Sequence, residues 1–202
     1  LPDAKRSVPF ETDYIRAKAL LALQRYPEAL EAAEVAVLEP TSGRMAVLVR
    51  ILRESGDTEG AYEVVDAYGD SADAGNDWHL EAGLARTAHA GSDRKQRDKG
   101  EAALQRVIQE TDKPLQKLQA GVALGQSMLA SGRADKAVPM LKGLAAAFPQ
   151  SDEIRYVLAC VQRESGDVAS ANKGLQAAAN RKANANALRQ KLNRRSQRFN
   201  PM

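Results

Sequence analysis

Two histidines, one cysteine and a cluster of acids are the residues of this chain whose chemistry could be more than structural. His79 and His89 stand ten apart on one predicted helix, about 80° from each other around its axis and nearly three turns apart along it. No cysteine or carboxylate completes a zinc set around them, so they read as solvated or packing side chains. Asp70, Asp73, Gly75, Asp77 and Glu81 place a glycine and an acid where a calcium loop starting at Asp70 needs them. Ala72 and Ala74 occupy ligand positions of that loop, and a solvated linker ahead of the Trp78 helix accounts for the acids. Cys160 lies mid-helix with no histidine directed at it, as a buried or groove-lining thiol would. No glycine-rich phosphate loop, serine elbow or pair of catalytic acids occurs. The expectation is a non-catalytic binding protein without cofactor or metal.

The elements that would carry such a function are most plainly written from Gly121 to Pro149, GVALGQSMLASGRADKAVPMLKGLAAAFP. Apolar residues three and four apart put one stripe on each of two helices. Leu124, Gly125, Met128 and Leu129 mark the first; Ala137, Met140, Leu141 and Leu144 mark the second. Gly125 and Ala137 are small where two backbones must approach. Gly132 suits the left-handed residue that ends a helix, and Pro149 cannot extend one. At this spacing the stretch resembles the tetratricopeptide repeat family. One helical hairpin cannot bury its own stripe, so neighbours are required.

The rest of the chain supplies them. In the first unit, 11–40, Ala17, Leu20, Leu21 and then Ala29, Leu30, Ala33, Ala36 flank a turn at Gln24, where the family has glycine. In the second, 43–69, Leu48, Val49 and Leu52 precede Gly56-Asp57, and Asp57 is placed to cap the next helix. Gly56 follows Gln24 by 32 residues, Gly91 follows Gly56 by 35, and Gly166 follows Gly132 by 34. Gly91 to Gly132 is 41 residues, so the third unit, 77–112, carries an insertion or a longer helix between Ser92 and Gly100. The fourth unit is 115–149. The fifth, 151–180, echoes the second, with RESGDVASA against RESGDTEGA. Residues 1–10 read as a lead-in or the remnant of a preceding region, and 181–202 as a basic capping helix and tail. The resemblance implies an all-α, right-handed α-solenoid of about five antiparallel helix hairpins plus a C-terminal capping helix.

Composition agrees. Aromatic residues make up 4% of the 202, which favours close-packed helices over a β sandwich. No apolar run approaches the ~20 residues of a bilayer span. The formal charge of +3 is uneven. Seven of the 29 basic residues fall between Arg181 and Arg198 without an acid, leaving 22 basic against 26 acidic residues elsewhere. The sequence starts at Leu1 rather than methionine, so a leader, tag or upstream region is expected to have been removed. Alanine-rich compact helices suggest a bacterial source and a soluble location in cytoplasm or periplasm.

In tetratricopeptide arrays the first helices of successive hairpins line a concave surface that binds peptides. That resemblance directs attention to positions about ten, six and three before each turn. They include Tyr14 and Lys18, Arg50 and Arg53, Glu81, Gln126, and Tyr156, Cys160 and Arg163. Lys18, Arg50 and Arg53 would form a basic strip attractive to an acidic segment of a partner protein. Alternatively these cations are solvated, or paired with Glu11 and Glu54. The lysine and asparagine clamp that some members use for a terminal carboxylate is absent. A second function class rests on the tail, whose Arg189, Lys191, Arg194, Arg195 and Arg198 could hold nucleic acid or an anionic membrane surface. Only Phe199 offers a stacking aromatic there, and the body is net negative, so the scaffold is the preferred reading.

Overall fold

Four of the helical hairpins close in one way. An amide two or three residues beyond each helix end reaches back to a carbonyl five residues earlier. Arg25, Asp57, Arg133 and Asp167 donate to Leu20, Leu52, Met128 and Gln162 at 2.9, 2.8, 2.8 and 2.8 Å. Such a closure needs one left-handed residue, supplied by Gly56 at φ +96°, Gly132 at +70° and Gly166 at +91°. Gln24 holds the corresponding place at +57°, so the first turn carries a side chain in a conformation that costs it. Gln24→Gly is expected to raise stability by about 1 kcal/mol, measured by urea unfolding followed by circular dichroism. An unchanged midpoint would mean that the turn relaxes at no cost.

The computed structural model describes residues 7–69, 74–177 and 179–180. Its helices are α1 (Ser7–Ala22), α2 (Tyr26–Ala36), α3 (Ser42–Ser55), α4 (Thr58–Tyr68), α5 (Asn76–His89), α6 (Arg94–Glu110), α7 (Pro114–Ala130), α8 (Ala134–Ala147) and α9 (Asp152–Glu164). Residues 168–177 are helical as well, and no strand occurs among the described residues. Polar N-caps start several of these helices. The Thr41 hydroxyl accepts the Arg44 amide, and the Asp57, Asp93 and Asp167 carboxylates accept those of Gly60, Gln96 and Ser170. The Ser170 bonds hold the Asp167 carboxyl below its ordinary value.

Two compact units divide the chain, 1–124 and 125–202. In the first, α1 packs on α2, α3 on α4 and α5 on α6, while α3 also touches α1 and α5. Contacts from α2 to α3 and from α4 to α5 complete a staggered series of hairpins. Its core runs through Ala17, Ala29 and Ala33, then Val49, Ile51 and Val65, to Trp78 and Ala82. Small alanines on α2 let the helices come close. Trp78, 1% exposed, fills the wider space and meets the Tyr68 ring edge-on at 4.8 Å. In the second unit α8 packs on α9. There a Cβ on Gly125 would stand 3.0 Å from Leu141 and from Val157, so a side chain would crowd both.

Of residues 1–10, read as a lead-in or the remnant of a preceding region, Ser7 to Phe10 are part of α1. Of the two readings of the third unit's extra seven residues, an insertion or a longer helix, the described residues carry the second. Those seven lengthen α6, which starts at Arg94 and runs for 17 residues. The acids Asp70 and Asp73, and the capping helix and tail at 181–202, lie outside the described residues.

Candidate functional site

A helix that turns by about 100° per residue brings positions four apart to one face. Tyr14 and Lys18 therefore look the same way from α1, and the Lys18 ammonium sits 5.0 Å from the centre of the Tyr14 ring. Ala46 and Arg50 repeat the spacing on α3, and Asp77 and Glu81 on α5. All six line one cavity of about 340 Å³ in the first unit, closed by Lys113 and by Leu115, Gln116 and Gln119 of α7. The groove positions of the first three repeats thus converge. Leu80 and Val47 give the cavity apolar ground, and Leu115 stands 65% exposed at it.

Charge in this groove is mostly compensated from within. Arg50 donates to Glu54 at 2.7 Å along its own helix, and Arg53 donates across to Glu81 on α5 at 3.1 Å. A second Arg53 nitrogen lies 3.9 Å from Glu54, so the four side chains form an alternating row. Glu11 pairs with Arg44 at 3.3 Å rather than with the groove cations. On the other wall the Lys113 ammonium reaches Asp77 at 3.1 and 3.2 Å. The Gln116 amide donates to Asp77 too, and the Gln116 carbonyl accepts the Thr111 hydroxyl at 2.8 Å. Lys18 meets no carboxylate among the described residues. Glu81 is only 6% exposed, and burial pushes its carboxyl up against the opposing pull of Arg53 and Arg50.

Arg53 stands behind the cavity rather than in its lining, tied to Glu81. In the second unit Gln126, Tyr156 and Arg163 are solvent-exposed and Cys160 is half-buried. A cavity of about 650 Å³ in that unit lies against another face of α9, that of Arg155, Leu158 and Gln162. The tail cations Arg189, Lys191, Arg194, Arg195 and Arg198 lie outside the described residues. Asp77, Lys113, Gln116 and Gln119 were not singled out as groove residues from the sequence. Counting back ten, six and three places from a turn stops short of them, because α5 and α7 begin earlier than that count reaches. His89 stacks on Tyr62 with centroids 3.9 Å apart and pairs with Glu59 at 3.2 Å, a packing role as expected. No cluster of metal-ligating side chains occurs among the described residues.

Residues 128–192 match the tetratricopeptide repeat family model. The repeats are tetratricopeptide-like. Solved structures agree over most of the chain. MamA (MSR-1) is 17% identical over 89% of this chain and 98% of its own, with a TM-score of 0.68. TTC0263, a thermophilic tetratricopeptide protein of Thermus thermophilus, is 21% identical over 84% and 89%, with a TM-score of 0.59. Tetratricopeptide-like repeats of a putative kinesin light chain of Podospora anserina are 16% identical over 90% and 98%, with a TM-score of 0.66. No curated protein sequence matches the chain. The all-α fold is therefore that of tetratricopeptide-like repeat proteins, and it supports a protein-interaction scaffold in general. No described helix is long and apolar enough to cross a membrane.

Proposed function

We propose that this chain is a non-catalytic scaffold that holds an extended segment of a partner protein in the groove of its first unit, within a larger assembly. The observation that supports it is the convergence of α1, α3, α5 and α7 side chains on one cavity. An extended segment bound there would lay apolar side chains on Leu80, Val47 and Leu115 and direct carboxylates toward Lys18 and Arg50. Lys18 is the strongest attractor, since no carboxylate among the described residues competes for it. The tail is the alternative site. Its seven cations would draw nucleic acid or anionic lipid through counterion release, with binding that falls steeply with salt.

The test compares capture of partners from the native source by three proteins. They are the full chain, the Lys18→Gln, Arg50→Gln, Arg53→Gln triple variant, and a chain ending at Ala179. The triple variant is expected to lose at least tenfold in partner affinity with helicity unchanged. A partner lost with the truncation and kept by the triple variant would instead place function in the tail.

A further inference from the structure

The first-unit groove contains a carboxylate where a ligand carboxylate would be expected. We infer that Glu81 is the charge gate of the groove: while ionised it occupies Arg53 and keeps the arginines of α3 from an acidic ligand. The inference rests on the groove reading and goes further, by naming the residue that sets the groove's preference among ligands.

The geometry carries it. Glu81 sends its carboxylate to Arg53 from the next helix, 28 residues on in sequence and 3.1 Å away. Glu54 engages Arg50 at 2.7 Å on the outer side of the same row. Two arginines and two glutamates so placed sum to nothing, and an acidic segment entering the cavity meets Glu81 itself as a repelling charge. The other charged groups lining the cavity are Lys18 from α1, Asp77 from α5 and Lys113 before α7, and Asp77 is already engaged by Lys113. Removing the Glu81 charge therefore leaves the groove more strongly cationic, with Lys18, Arg50, Arg53 and Lys113 facing only Glu54 and Asp77. Burial favours the neutral form of Glu81, so its carboxyl takes up a proton at a higher pH than an ordinary glutamate.

The sign follows. A carboxyl whose value is raised in the fold adds stability that is full below its unfolded value and lost as pH rises through its folded one. Protonation thus both suits the fold and frees Arg53, so an acidic ligand should bind more tightly as pH falls through the folded value of Glu81.

The experiment uses the full chain and two fluorescein-labelled decapeptides, one alternating glutamate with leucine and one alternating lysine with leucine, followed by anisotropy. Glu81→Gln keeps an oxygen for Arg53 and removes the charge. It is expected to bind the acidic peptide about tenfold more tightly at neutral pH, from one like charge removed at close range. The wild-type chain should approach the variant as pH falls toward the raised folded value of Glu81, while the peptide carboxylates stay ionised. Glu54→Gln, on the more exposed end of the row, should give a smaller gain in the same direction; both variants should keep wild-type helicity.

Equal or weaker acidic-peptide binding by Glu81→Gln overturns the inference. If the Lys18, Arg50, Arg53 triple variant still loses that peptide, the groove reading survives this result. If the triple variant binds as well as wild type, the groove reading falls too. Binding of only the lysine peptide, lost in Glu81→Gln, would make Glu81 a direct ligand contact and overturn the gate.

Discussion

Trp78→Ala is expected to destabilise the first unit by about 4 kcal/mol, the largest single-residue effect in the chain. Trp78 is the only tryptophan of the sequence and is 1% exposed. It shares a core with Val49, Ile51 and Val65, in a unit whose other core residues are largely alanine. Neighbours that small cannot collapse to fill the space it would leave, so the cavity term adds fully to the lost transfer energy. The edge-on contact with Tyr68 is lost as well, at about 1 kcal/mol. Urea unfolding by circular dichroism measures the change. Trp78→Phe, which retains most of the volume, should cost less than half as much. Equal loss in both variants would mean that packing volume is not what Trp78 supplies.

The second large effect is expected where α5 crosses α6. Gly83 and Gly100 face one another there. A Cβ on Gly83 would lie 2.8 Å from Leu104 Cγ and 3.0 Å from the Gly100 carbonyl. One on Gly100 would lie 2.9 Å from the Thr87 methyl and 3.1 Å from the Gly83 carbonyl. The obstacles include backbone, which cannot rotate away. Gly83→Leu should therefore cost about 3 kcal/mol, beyond the roughly 1 kcal/mol that a better helix former returns. Alanine at both positions should cost less than the sum of the single changes, since one separation of the helices relieves both. Additive losses would show that the two glycines do not share a crossing.

Gly100 also shows what sequence reading misses. It closes a run of charged residues, SDRKQRDKG, and so reads as the end of a polar surface feature. Its role depends on Gly83, on a helix whose packing angle no local pattern announces. The turns were legible for the opposite reason. Glycine at a helix end answers to one residue's backbone angle, and the 32-to-35-residue spacing placed even Gln24 at the right turn. The groove divides likewise. Tyr14, Lys18, Arg50 and Glu81 follow from the tetratricopeptide resemblance, which directs attention to places counted back from those turns. That Glu81 is buried and tied to Arg53 does not, because a carboxylate's burial is decided by the helices around it. A basic strip in sequence became an alternating row in space for that reason.

Photo-crosslinking in the native source tests the central claim most directly. A benzoylphenylalanine at Gln119, half-buried in the groove lining, is compared with one at Glu34, exposed on α2 and outside that lining. The account predicts a discrete cross-linked partner from position 119 and none from 34, with the product lost when Lys18, Arg50 and Arg53 are changed to glutamine. A product from position 34 alone, or one from 119 that survives the loss of those three charges, would contradict it.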